Sequence, residues 1–195
     1  MIRGYKNIND STKLNLRHLG GGIIKTSDGK LWLGGLFEGI IASYDTKTER
    51  LNNFIRNSKD STGIPFRHNV LQFEDSNDNI WFVSSSIDRD TAVVGRINIK
   101  TNTIKTYPYI IQDFKYNEIV LNFRILEADI NKSIWLLEDK GQLRVFNREK
   151  DTFEIVIPTG SVIPGTGVKD TLKSIVNGKK HFVLNGIKGF YIWDA

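Results

Sequence analysis

Ser27-Asp28-Gly29-Lys30-Leu31-Trp32-Leu33-Gly34-Gly35 is a pattern that the chain makes repeatedly. Asp75-Ser76-Asn77-Asp78-Asn79-Ile80-Trp81-Phe82-Val83 repeats it, and so does Asp129-Ile130-Asn131-Lys132-Ser133-Ile134-Trp135-Leu136-Leu137. A worn fourth copy, Asn177-Gly178-Lys179-Lys180-His181-Phe182-Val183-Leu184, has Phe182 in the tryptophan's place. Each copy is a polar turn followed by a short apolar strand with an aromatic in its second or third position. Asp-Gly between apolar runs is a strong hairpin signal, because both turn residues must tolerate positive φ. The anchors stand 49 residues apart (Trp32 to Trp81), then 54 (to Trp135) and 47 (to Phe182). Self-similarity at a period of about 50 residues points to a propeller or array.

Working outward, the stretch between copies repeats as well. Asp10-Ser11-Thr12 precedes Leu16-Arg17-His18, and fifty residues on Asp60-Ser61-Thr62 precedes Phe66-Arg67-His68. Five of these six positions are identical, so the stretch is a link between units. Residues 1–6 then correspond to the last strand of a unit. Within the first unit, Gly22–Thr26, the Trp32 segment, Gly39–Tyr44 and Leu51–Ile55 read as four strands. The third and fourth are joined by Asp45-Thr46-Lys47-Thr48-Glu49. Asn98 and Asn147 open turns of the same kind, where an Asx side chain bonds the backbone two residues on. Four-stranded meanders at this period are blades of a β-propeller, expected near 21–56, 70–108, 123–158 and 170–195. The second blade carries an insertion, Ser84 to Thr91, between its second and third strands. The fourth stops after a third strand, and Met1–Tyr5 could pair with 189–195 to close a four-bladed ring. The rival is a share of a larger propeller. Trp32, Trp81, Trp135 and Phe182 are expected as core residues between blades.

Composition bounds the function. The 195 residues are 39% hydrophobic and 25% charged, as in ordinary globular domains. No apolar run approaches the roughly 20 residues of a membrane helix, and Met1–Asn7 carries no apolar leader segment. Cysteine is absent, which excludes disulfides, thiolate catalysis and zinc–thiolate sites. The net charge of +5 is scattered among acids rather than clustered, against a nucleic-acid surface. The three histidines lack metal-ligand spacing, and no catalytic set, metal site or cofactor is expected.

The unit Arg67-His68-Asn69-Val70-Leu71-Gln72-Phe73-Glu74-Asp75 through Trp81-Phe82 resembles the two-component-regulator propeller repeat, and Asp28-Gly29-Lys30-Leu31-Trp32-Leu33-Gly34 matches that repeat's second half. The resemblance covers essentially the whole chain. It departs at Asn79 and Ser133, read as positions where the family has glycine, and at Phe182. It implies the extracytoplasmic, periplasmic sensor region of a Bacteroidetes hybrid two-component system. Such a region is non-catalytic and responds to an oligosaccharide, and the kinase lies on other domains of the receptor. Direct membrane insertion is not expected.

For a ligand site, the links and the loops between second and third strands emerge on one propeller face. There Arg17-His18 and Arg67-His68 hold equivalent places. Either they line a mouth that binds an anionic or hydroxyl-rich ligand, or they fix the inter-blade link. Phe37, Asp88, Arg89 and Tyr116 belong to the same face, with Phe66, Tyr109 and Phe114. Aromatic faces stack on sugars and carboxylates accept from their hydroxyls. The alternatives are a protein-interaction or homodimerisation propeller and, lower, a propeller lyase or hydrolase for which Asp88 and Asp90 would supply carboxylates.

Overall fold

Each copy of the opening motif becomes the hairpin between the first two strands of a sheet. The structure is a computed structural model and describes residues 21–35, 39–55, 63–86, 91–109, 124–127, 132–137, 143–157, 170–176, 179–186 and 189–194, the last three ranges by backbone alone. β1 (Ile23–Lys25), β2 (Leu31–Gly34), β3 (Ile40–Asp45) and β4 (Arg50–Ile55) form one antiparallel sheet in chain order. β5 (His68–Glu74), β6 (Asn79–Ser86), β7 (Thr91–Asn98) and β8 (Ile104–Tyr109) form the second. β9 (Arg124–Glu127), β10 (Ile134–Leu137), β11 (Leu143–Asn147) and β12 (Thr152–Ile157) form the third. β13 (Asp170–Val176), β14 (Lys179–Gly186) and β15 (Gly189–Asp194) form a three-stranded fourth. We call the sheets blades 1 to 4. Two compact units hold them: Met1–Tyr116 has blades 1 and 2, and Asn117–Ala195 has blades 3 and 4. The expected strand at 1–6 lies outside the described residues.

The tryptophan turns share one backbone design. In blade 1 the Thr26 and Gly29 amides donate to Lys30 O and Thr26 O, both at 2.9 Å. In blade 2 the Asp75 and Asp78 amides donate to Asn79 O and Asp75 O at 2.8 and 3.3 Å. The left-handed residue stands three before the tryptophan in each of the first three blades: Gly29 (φ 86°), Asp78 (φ 60°) and Lys132 (φ 54°). This corrects two expectations. The loop has three residues and one left-handed position, a type I turn closed by an αL residue, rather than two positive φ angles. The glycine-equivalent positions are Asp78 and Lys132, one residue before Asn79 and Ser133. Asparagine and aspartate reach the left-handed region at modest cost, so Asp78 can stand in for glycine there.

The turns between third and fourth strands also share a design. Asp45 Oδ1 accepts from the amides of Lys47 and Thr48 at 2.8 and 3.2 Å. Asn98 Oδ1 does the same for Lys100 and Thr101, and Asn147 Oδ1 for Glu149 and Lys150. Four residues on, Glu49, Asn102 and Asp151 are left-handed. The Lys47 amide, then that of Thr48, holds the Asp45 carboxyl below its ordinary 3.8. A depressed carboxyl contributes stability that is complete above that ordinary value and is lost as pH falls through the folded one. Asp45→Asn, the residue that blades 2 and 3 already use, is expected to keep the turn at neutral pH and remove its acid sensitivity. The amide shifts of Lys47 and Thr48 followed by NMR against pH check this. An unaltered acid transition in the variant would contradict it.

Blades 1 and 2 share a core of Trp32, Ile41, Leu71, Ile80, Phe82, Ile97 and Ile99, closed by Ile64 from the link. Trp32, Trp81 and Trp135 are 1%, 0% and 8% exposed. Of Phe182 the structure gives the register, opposite Lys173 and Trp193 on β14. Gly95 sits opposite Phe82, and a Cβ there would lie 2.2 Å from the phenyl ring, so the missing side chain is the space the ring fills.

The insertion read at Ser84 to Thr91 is shorter than expected. Ser84, Ser85 and Ser86 pair with Val93, Ala92 and Thr91 as strand, leaving 87–90 outside the described residues. Polar serines resemble a loop in sequence. Here Ser84 and Ser85 are buried, and Ser84 Oγ accepts from the Phe66 amide at 3.1 Å, which satisfies it inside the sheet.

Candidate functional site

Among the rim residues expected from sequence, Arg67 and His68 are described, and the structure separates them. Arg67 is exposed, whereas His68 begins β5 and is 3% exposed. Of the two readings offered for this pair, lining a mouth needs an accessible ring, and His68, paired with Ser85 at the start of β5, is packed inside the blade. Arg17, His18, Phe37, Asp88, Arg89, Asp90, Phe114 and Tyr116 lie outside the described residues. Phe66 is half-buried, and Tyr109 ends β8.

Around Arg67–Leu71 runs a seam of backbone bonds between blades 1 and 2. The Gly39 amide donates to Arg67 O at 3.0 Å, Asn69 N to Gly35 O at 2.9 Å and Leu71 N to Gly21 O at 2.7 Å. Gly21 and Gly34 bond each other across the same place at 3.1 Å. A Cβ on Gly21 would stand 1.9 Å from Asn69 O, and one on Gly34 would stand 2.5 Å from Gly21 O. The glycines therefore let two backbones approach more closely than any side chain permits. Farther along, the Ser27 amide and hydroxyl both donate to the Glu74 carboxylate, at 2.8 and 2.6 Å. Sequence reasoning quoted Gly34, Gly35 and Gly39 inside its motifs, passed over Gly21 and gave them no joint role; the runs Gly20-Gly21-Gly22 and Gly34-Gly35 were the available signal.

At the other end of the blade 2 strands, away from Ser86 and Thr91, lies a polar pocket of about 490 Å³. Its floor is Asn79 and Asn98, cross-strand partners on β6 and β7. Asn98 Nδ2 donates to Asn79 Oδ1 at 3.2 Å, and Asn79 Nδ2 donates to both oxygens of Asp75 at 3.1 Å. Asp75 is 5% exposed and also accepts from the Asn77 and Asn79 amides and from Trp81 Nε1, at 2.8, 2.9 and 2.8 Å. One buried carboxylate thus ties the turn, the tryptophan and the pocket floor together. Thr101 and Thr103, whose hydroxyls are 2.8 Å apart, form one wall. Arg96 and Lys105 form another. The Arg96 guanidinium lies 6.0 Å from the Trp81 ring and 5.9 Å from that of Tyr107, and the Lys105 ammonium lies 5.7 Å from Tyr107. Such contacts fix cations over ring faces. Sequence reasoning missed this pocket because it assigned those turn residues a structural role and sought ligands at the opposite end. No group of histidines and carboxylates able to hold a metal occurs among the described residues.

No protein-family model and no curated protein matches the chain. Among solved structures it is similar to the virginiamycin B lyase of Staphylococcus aureus, with a TM-score of 0.57 and 17% identity over 92% of this chain and 56% of that one. A catalytically inactive form of that lyase with quinupristin gives 0.57 and 15%, over 94% and 58%. An auxiliary nutrient binding protein from Bacteroides ovatus gives 0.54 and 12%, over 94% and 48%. At these identities the likeness is one of fold. The chain is an all-β propeller of antiparallel blades, and it spans about half the length of the structures it resembles.

Proposed function

We propose that this chain is a non-catalytic, ligand-sensing propeller module of a periplasmic hybrid two-component receptor that responds to an oligosaccharide, with the kinase on other domains. The observation that carries the reading is the resemblance of the chain's repeat to the two-component-regulator propeller repeat. Its turn glycine and its tryptophan recur as a left-handed residue three positions before a buried indole in three blades. The repeat's own residues are spent on turn and core, so recognition falls to polar surface. The exposed Arg67 rim and the amide-and-hydroxyl pocket on blade 2 are the two places that suit a sugar. The propeller fold shared with a nutrient binding protein agrees with a binding role, and fold alone does not assign it.

A thermal-shift screen of the full chain against oligosaccharide pools from neutral and acidic polysaccharides tests the proposal. A ligand at a hundredfold its Kd adds about 2.7 kcal/mol to the folded state, which raises Tm by about 5–10 °C in a chain of this size. The recovered glycan is expected to be unchanged in mass. No shift with any pool, or a shortened product, would contradict the reading, and a product would favour a lyase or hydrolase.

A further inference from the structure

Blades 1 and 2 meet through a face of blade 2 that has a counterpart on blade 1. In blade 2, Ile80 and Phe82 flank Trp81 in β6 and so turn to the side opposite it. Leu71, Ile97 and Ile104 stand across from them in register and share that side. Leu71, Ile80, Phe82 and Ile97 are 6% exposed or less, and Ile104 packs against them. They are buried against Trp32 and Ile41 of blade 1, with Ile64 from the link.

Blade 1 repeats this face position by position. Leu31 and Leu33 flank Trp32; Ile23 stands opposite Leu33, Tyr44 opposite Leu31, and Leu51 opposite Tyr44. The volumes balance as well: Leu33 lies across from Ala42, where the larger Phe82 lies across from Gly95. Yet Ile23 is 67% exposed, and Leu31, Leu33, Tyr44 and Leu51 are only half-buried. The face has the residues that receive a blade and is incompletely covered. Repeat units of this kind do not bury their apolar faces alone, and a contiguous exposed apolar patch marks an interaction site.

We propose that the blade 1 face of Ile23, Leu31, Leu33 and Leu51 docks a second copy of this chain. The partner's chemistry follows from the joint already present, where the matching face of blade 2 is filled by an indole and an aliphatic side chain from a neighbouring copy of the repeat. A second chain supplies repeats of that kind. Two copies also bring together about the length of one of the propellers that the chain resembles, of which one copy spans about half. The packing is that of two sheets face to face, about 10 Å apart, with interdigitating side chains. The inference stands on register and burial and does not draw on the sensor reading.

Sedimentation velocity of the full chain over a concentration series tests the proposal, with a reversible species of two copies expected. Ile23→Glu places a charge at the most exposed point of the face. It is expected to weaken association by about tenfold or more, because an isoleucine is no longer buried; Ile23→Val should leave association nearly unchanged. The chain has no cysteine, so Ile23→Cys adds a unique thiol whose modification rate reads the face directly. That rate should fall as protein concentration rises, whereas the thiol of Thr46→Cys, in the exposed turn after β3, should react alike throughout. The thiol variant also decides the matter if Ile23→Glu does not fold. A single-copy mass at every concentration overturns the inference. So does a pair of copies that Ile23→Glu does not weaken and in which the Ile23→Cys thiol stays equally reactive, since association then lies elsewhere on the surface.

Discussion

Gly21→Ala is expected to destabilise the unit containing blades 1 and 2 by about 3 kcal/mol or more, the upper end of what overpacking costs. The added methyl would stand 1.9 Å from the carbonyl oxygen of Asn69. That atom is backbone in β5 and cannot swing aside. Relieving the clash means separating the blades, which breaks the Leu71–Gly21 and Asn69–Gly35 bonds that join them. Gly29→Ala supplies the contrast. Nothing lies within 4 Å of its Cβ, and its cost is the left-handed backbone at φ 86°, about 1–2 kcal/mol. Urea unfolding of both variants separates the two mechanisms. A Gly21→Ala chain that unfolds like the parent would remove the seam from the account.

The second large effect belongs to Asp75. Asp75→Ala is expected to cost about 3–5 kcal/mol, because it strips a buried acceptor from several donors at once and leaves them in a site where water does not replace it. Those donors are the Asn77 and Asn79 amides, the Asn79 side chain and the Trp81 indole. Asp75→Asn keeps one carbonyl oxygen and should retain part of that stability. The indole N–H resonance of Trp81 should shift markedly in both variants. If Asp75→Ala unfolds within about half a kcal/mol of the parent, a range typical of inconsequential surface changes, the hub is not a hub. Blade 1 solves the same problem differently: Thr26 occupies the equivalent place, buried, with its hydroxyl donating to Asp28 Oδ1 at 2.6 Å.

These two residues show where sequence reading succeeds and where it stops. The tryptophan anchors, the hairpins and the Asx turns were legible because they are local: period, turn chemistry and alternation all act within a few residues. Even so, the glycine equivalents were placed one residue late: counting three back from each tryptophan gives Asp78 and Lys132, the residues whose backbone carries the positive φ. The glycine seam was written in the sequence, but its meaning depends on Asn69, 48 positions from Gly21, arriving against it. No local pattern predicts that approach. His68 was read beside Arg67 as either lining a rim or fixing the link, and its burial follows from where β5 begins and from its pairing with Ser85 in the next strand, which no local pattern reveals. The pocket escaped for a related reason. Asn79, Arg96, Asn98 and Lys105 lie on three strands and meet only through cross-strand register.

The fate of a bound glycan tests the central claim most directly. Equilibrium dialysis of the full chain against a mixed pool of neutral and acidic oligosaccharides, with mass spectrometry on both sides of the membrane, reads binding and chemistry together. The account predicts that a subset of the oligosaccharides is retained on the protein side with masses unchanged. An even distribution of every oligosaccharide, or the growth of shortened or unsaturated products, would contradict it.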